Sequence, residues 1–261
     1  MSTLPTTAGP DGATFVRHAD TLPRVVPVED GEVRHLRHFF GDPGQLQPGP
    51  QGFMVGLPPH AVGRAHFHEV DQFQVFFPAR GATYQRHPVD RVMVHYADGY
   101  TTYGPFAAGE APLEFFTLRA QPTLGTWYMP ESRDRLVRRG RRTRHVDVPD
   151  AAPVTAGTAE VTRLLADDDG MAVDRVQLGP GASCRAPGGG PSGAYLCVLE
   201  GDLVHGATLG PRTLGWWSPG APELELRAGP QGCDLVVLTF PRSSAASDRG
   251  DRRLHGGPTA R

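Results

Sequence analysis

Apolar and polar residues alternate along much of this chain in short runs, the two-residue period of a strand that buries one face. The strongest run is His66-Phe67-His68-Glu69-Val70-Asp71-Gln72-Phe73-Gln74-Val75-Phe76-Phe77. Read as one strand, it turns His66, His68, Val70, Gln72 and Gln74 to one face, and Phe67, Glu69, Asp71, Phe73 and Val75 to the other. Similar patterns predict strands over 24–28, 52–56, 91–96 and 113–119, then over 160–165, 171–178, 195–200, 213–217, 224–227 and 234–240. Turn-forming clusters such as Gly41-Asp42-Pro43-Gly44, Pro78-Ala79-Arg80-Gly81 and Ala97-Asp98-Gly99 separate the first of these. A short helix is expected within 131–139. Residues 1–14 read as a loose arm and the tail from Ser243 as disordered, because both are polar and poor in core-forming residues.

Composition sharpens this into an all-β chain. The 33 glycines and 26 prolines punctuate apolar runs, as turns between many strands do. The 261 residues suit two domains of about 120 residues each. The boundaries read as a first domain at 15–128, a linker at 129–157 and a second domain at 158–242, with seven arginines among residues 133–144. A net charge of −2 creates no global field for nucleic acid or an anionic membrane. No apolar run approaches the roughly eighteen residues of a membrane span, and the opening residues lack the basic and apolar regions of an export signal. The expectation is a cytoplasmic protein with a small-molecule partner and no nucleic-acid or membrane partner, with a homodimer as the default assembly. Cys184, Cys197 and Cys233 are odd in number and form no CxxC pair, which fits reduced, buried thiols.

His66 and His68 carry the candidate chemistry. In-phase neighbours on a strand lie roughly 6.5–7 Å apart, so both rings can reach one ion at about 2.1 Å each. Histidines on an exposed edge strand are the alternative. Gln72 shares their face, as a metal ligand or as a partner that orients one. Glu69 and Asp71 are out of phase and expected to face outward.

These residues resemble the first motif of the cupin superfamily, in which two histidines one residue apart are followed four positions later by a glutamate and then by a glycine turn. Here the motif becomes His66, His68, Gln72 and Gly81, with glutamine in place of glutamate. The second motif resembles Asp98-Gly99-Tyr100-Thr101-Thr102-Tyr103-Gly104-Pro105, with Tyr103 at the position of the last histidine and His95 one strand earlier as its alternative. In the second half, Tyr195–Gly201 resembles the strand and turn that follow cupin ligands. Gly188, Gly190 and Ala194 stand where His, His and Glu are expected, and Glu223 stands at the last histidine.

The resemblance implies a bicupin, two tandem jelly-roll β-barrels, with a metal site in the first barrel and none in the second. The implied ligands are His66, His68, Gln72 and Tyr103, and Tyr103 or His95 would move protons. Such donors suit Fe(II) first, and also Mn(II), Ni(II), Co(II) or Zn(II), rather than Ca(II) or Mg(II). The implied activity is that of a mononuclear non-haem Fe(II) dioxygenase acting on a small organic molecule. A redox-neutral isomerase, lyase or cyclase is the second reading, and a non-catalytic binding protein the third. Glutamine in place of the carboxylate leaves the site with about one more positive charge.

Overall fold

The computed structural model describes residues 7–8, 11–27, 33–41, 48–123, 125–137 and 142–242, and the tail from Ser243 lies outside them. The regular structure among the described residues is β strand, apart from single 3-10 turns at His18–Asp20 and Arg133–Arg135. Among the described residues no helix is long and apolar enough to cross a membrane. The chain divides into two units, one of residues 23–147 and the other of described residues within 1–22 and 148–245.

In the 23–147 unit, seven antiparallel strands run in the order Thr143–Asp147, Met93–Ala97, Gln72–Phe76, Leu113–Arg119, Gln51–Leu57, Val33–Phe40 and Pro23–Pro27. A four-stranded sheet, His87–Pro88, Thr83–Tyr84, Phe106–Ala107 and Val62–Gly63, accompanies it. Period-two alternation on strands in this register grades the interior from polar to apolar. Arg119 lies opposite Gln51 at one end of its strand pair, and Leu113 lies opposite Leu57 at the other. Leu57, Phe76, Met93, Leu113, Phe115 and Phe106 pack as the apolar floor.

The run expected as one strand over 66–77 is divided into His66–Phe67 and Gln72–Phe76, with a bend between them. The two carboxylates expected to face outward tie that bend down instead. Glu69 accepts from Thr123 Oγ1 at 2.6 Å and from Trp127 Nε1 at 2.7 Å. Asp71 is buried and accepts from the Gly99 amide at 2.8 Å. Gly99 is required there, because a Cβ would collide with the Glu69 carbonyl.

The stretch expected as a linker, 129–157, begins as part of this unit. Just before it Trp127–Tyr128 pairs with His66–Phe67, and within it Thr143–Asp147 pairs with Met93–Ala97. The planar guanidiniums stack on rings, Arg135 at 4.1 Å over Trp127 and Arg142 at 5.0 Å over Tyr96, while Arg142 also pairs with Asp98 at 3.1 Å. The short helix expected at 131–139 is reduced to the turn at Arg133–Arg135.

The other unit is built on one large sheet, ordered Thr7–Ala8, Ala13–Val16, Leu214–Trp217, Ala194–Val204, Glu225–Thr239, Ala172–Leu178 and Ala159–Ala166. The strands expected at 224–227 and 234–240 merge into the single Glu225–Thr239. The boundary expected at residue 15 would place Phe15 in the first domain, whereas Ala13–Val16 pairs with Leu214–Trp217 in this one. Gly215, with no Cβ, leaves space for the Phe15 ring opposite it. The interior is apolar, with Leu196, Val198, Trp217, Leu235 and Val237 in one cluster. Of the positions matching cupin ligands, Ala194 joins this core, a Cβ at Gly188 would strike Thr239, and Glu223 is exposed beside Arg185. All three cysteines are free thiols. Cys197 and Cys233 are buried and Cys184 half-buried.

Candidate functional site

Strand pairing brings His66, His68, Gln72 and Tyr103 together inside the 23–147 unit. His66 and Tyr103 exchange backbone hydrogen bonds at 3.1 and 3.0 Å, which sets the Tyr103 ring 4.6 Å from the His66 ring. The two imidazole centroids are 5.2 Å apart.

Each of these histidines has its tautomer assigned by a carbonyl. Nδ1 of His66 lies 2.7 Å from the Arg64 carbonyl, and Nδ1 of His68 bonds the Gly125 carbonyl. A carbonyl oxygen only accepts, so both Nδ1 atoms carry the hydrogen and both Nε2 atoms keep a lone pair. Burial holds the rings neutral. It lowers His66 to about 4, against the Arg64 carbonyl and with help from the charges of Arg34 and Arg119. His68 is lowered well below 6.5 by burial and then by Arg119 and His66.

The sequence reading missed Arg119, the last residue of Leu113–Arg119 and only 3% exposed. Its Nη2 donates to His68 Nε2 at 2.9 Å, its Nε to Gln72 Oε1 at 2.8 Å and its Nη1 to Gln51 Oε1, and the guanidinium lies 5.5 Å over the Phe53 ring. Gln72 passes the contact on, its Nε2 donating to the Tyr103 hydroxyl at 2.7 Å. Burial raises Tyr103 to about 12, against Arg119 and Gln72, so the phenol is protonated at neutral pH. The signal that could have found Arg119 is its phase: Leu113, Phe115, Thr117 and Arg119 share one strand face.

His95 points into the same interior but is occupied. Its Nε2 lies 2.8 Å from the Tyr84 hydroxyl and its Nδ1 3.1 Å from Gln74 Oε1, its cross-strand neighbour. Burial, with a smaller contribution from the charge of His145, lowers it to about 3.

A cavity of about 260 Å³ opens onto His66, His68, Tyr103 and Arg119, walled by Phe53, Phe106 and Phe115. Arg34, from Val33–Phe40, also lines it, and its buried Nε has no hydrogen-bond partner. The charged side chains among the described lining residues are these two arginines, and none is acidic.

The donors do not fit a divalent metal as they stand. An imidazole nitrogen has one lone pair, and that of His68 accepts from Arg119. An ion about 2.1 Å along that direction would sit almost on Nη2, 2.9 Å from the same nitrogen. A divalent ion 4 Å from a guanidinium is repelled by about 8 kcal/mol at an effective dielectric near 20. Among the described residues no group of three His, Cys, Asp or Glu side chains could hold an ion.

No protein-family model and no curated protein matches the sequence. Solved structures match over most of the chain. A candidate dioxygenase from Nostoc punctiforme superposes with a TM-score of 0.59 at 14% identity, covering 91% of this chain and 86% of that one. An oxalate decarboxylase from Lactobacillus farciminis, in a formate complex, gives 0.53 at 12% identity, covering 87% and 86%. A bacterial pirin from Escherichia coli in complex with nickel(II) gives 0.53 at 9%, covering 88% and 99%. The fold is therefore a nearly all-β one of jelly-roll barrel domains, of the cupin type. At these identities the likeness is one of fold.

Proposed function

We propose that the chain is a bicupin enzyme whose first barrel binds a small organic anion and moves a proton on it. The observation that carries this is one compact cavity holding two guanidiniums and the open Nε2 of His66, with no acidic side chain among its described lining residues. The partnerless Nε of Arg34 is a ready donor to a carboxylate. His66 Nε2 then accepts a proton from the carbon on the far side of the ligand's carbonyl, C3 of a 2-oxo acid, so that the C–H electron pair becomes the C=C bond and the carbonyl oxygen becomes the enolate, and the same nitrogen returns a proton to that carbon. Tyr103, still protonated, can donate a hydrogen bond to the enolate oxygen that develops. Burial and two positive charges weaken His66 as a base in the empty site, and an incoming anion offsets part of the charge contribution. At about 260 Å³ the cavity admits only a compact ligand. A fold neighbour captured with formate, the smallest carboxylate, agrees with this reading.

This is the redox-neutral form of the expected activities. The Fe(II) dioxygenase form is the second reading. It is favoured by two imidazoles whose centroids are 5.2 Å apart, each with Nδ1 held by a carbonyl, and opposed by the guanidinium bonded to both His68 and Gln72.

Incubating the protein in D2O with a panel of small carboxylates and 2-oxo acids, and following binding and exchange of the carbon-bound hydrogen by NMR, tests the proposal. At least one anion should bind and exchange. Arg34→Gln should bind it at least tenfold more weakly, and His66→Gln should keep binding but lose exchange. No binding by any member, or equal binding by Arg34→Gln, refutes it.

A further inference from the structure

Two departures from the cupin pattern occur side by side: Gln72 stands where the motif has a glutamate, and Arg119 reaches both Gln72 and His68. Their charges match. A carboxylate with a divalent ion carries a net charge of +1, and a glutamine with a guanidinium carries the same. The hydrogen bonds suit this pair as well. Gln72 accepts from Arg119 through Oε1 and donates to Tyr103 through Nε2, and a carboxylate has no hydrogen to donate.

We propose that the Arg119 guanidinium is the resident cation of this barrel, seated on the His68 nitrogen and the Gln72 oxygen that would otherwise face a metal, so that the barrel works without a transition metal. The inference shares its cavity with the proposed anion chemistry and deepens it. A guanidinium supplies a fixed positive charge and directed N–H donors without redox activity or an exchangeable coordination position. It therefore suits stabilisation of a carboxylate or enolate and does not bind dioxygen. Arg119 is also held in place. Bonds to His68, Gln72 and Gln51 and the Phe53 ring fix it from four directions, and it is buried. Gln51 is its directly opposed partner on the neighbouring strand, so the sheet register itself sets the position.

The test is metal binding, read independently of activity. Wild-type protein is purified from medium supplemented with iron, manganese, nickel, cobalt and zinc, and its metal content is measured. It is then titrated with Co(II), whose visible spectrum reports imidazole and carboxylate ligation. Arg119→Met and the double variant Gln72→Glu/Arg119→Met are treated alike, with circular dichroism to confirm folding. The wild type should hold well below one ion per chain. The double variant, with two imidazoles, one carboxylate and no guanidinium, should bind Co(II) about 100-fold more tightly, the upper range for a change of groups around a metal site. A wild-type chain carrying about one tightly held ion that His66→Ala removes overturns the inference, and so does a folded double variant that gains no Co(II) affinity. If the variants do not fold, the wild-type measurement alone decides. Anion binding in the same preparations separates the two readings. A metal-loaded wild type that still binds its anion through Arg34 overturns this inference alone. A metal-free wild type that binds no anion overturns the proposed function alone.

Discussion

His95 should make the 23–147 unit sensitive to mild acid, in a way that a single substitution reveals. Its ring sits among Tyr84, Gln74 and Tyr103, with the exposed His145 opposite it on the neighbouring strand. Burial keeps it neutral down to about 3, against 6.5 for a free imidazole. Between those values the unfolded chain holds a proton at this position and the folded chain does not. Stability is therefore full above about pH 6.5 and falls as pH drops toward 3, by about 1.4 kcal/mol per pH unit for one such proton. His66, lowered to about 4, adds to the slope in the upper part of the same window. His95→Gln keeps an acceptor for Tyr84 and a donor for Gln74 but removes the titration. Urea unfolding between pH 4 and 6, read by hydrogen exchange in the peptides covering Gln72–Phe76 and Met93–Ala97, measures the slope for this unit. The variant's slope should be lower than that of the wild type by about 1.4 kcal/mol per pH unit. Equal slopes would mean that His95 is protonated in the fold or is not buried as the cause requires, and would refute the reasoning.

Two further substitutions probe the frame. Gly99→Ala would push a methyl group into the Glu69 carbonyl and displace the bend between His68 and Gln72. Anion binding should fall at least tenfold while the circular dichroism spectrum stays that of a β protein; unchanged binding would show that the bend does not position the site. In the other unit, Asp234→Ala would strand the Arg175 guanidinium, whose Nε and Nη2 lie 3.0 and 2.5 Å from the carboxylate in a buried pair. A loss of about 3–5 kcal/mol is expected in urea unfolding, and a loss below 1 kcal/mol would mean that water reaches the pair.

The fold class and the main site residues could be read from local pattern. Period-two alternation marks Leu113–Arg119 to the residue and brings 52–56, 91–96, 160–165 and 171–178 close to the strands at Gln51–Leu57, Met93–Ala97, Ala159–Ala166 and Ala172–Leu178. Burial varies among them: Gln51–Leu57 and Met93–Ala97 are buried throughout, whereas the edge strand Ala159–Ala166 is mostly exposed, so what the sequence marks is the short strand-length run bounded by turn residues. His66, His68, Gln72 and Tyr103 were visible as a set because ligand-type side chains recur at motif spacing, and in the structure His66, His68 and Tyr103 line one cavity while Gln72 stands behind them, bonded to Tyr103.

What the sequence could not carry is partnership between distant segments. Ala13–Val16 has only four residues, and whether it completes the nearer or the farther sheet depends on the space that Gly215 leaves, some two hundred residues away. The arginine-rich stretch looks solvated until aromatic rings contributed by Trp127 and by the strand Met93–Ala97 lie beneath the guanidiniums of Arg135 and Arg142. His95 is in phase with the site but is consumed by Tyr84 and Gln74, a competition between hydrogen bonds that only three-dimensional distances resolve. Alternation alone determined that the first barrel has a face bearing imidazoles and amides. The sheet register decided that a guanidinium from another strand, 51 residues beyond His68, shares that face and reaches its nitrogen, because hydrogen bonds join groups that are close in space whatever their separation along the chain.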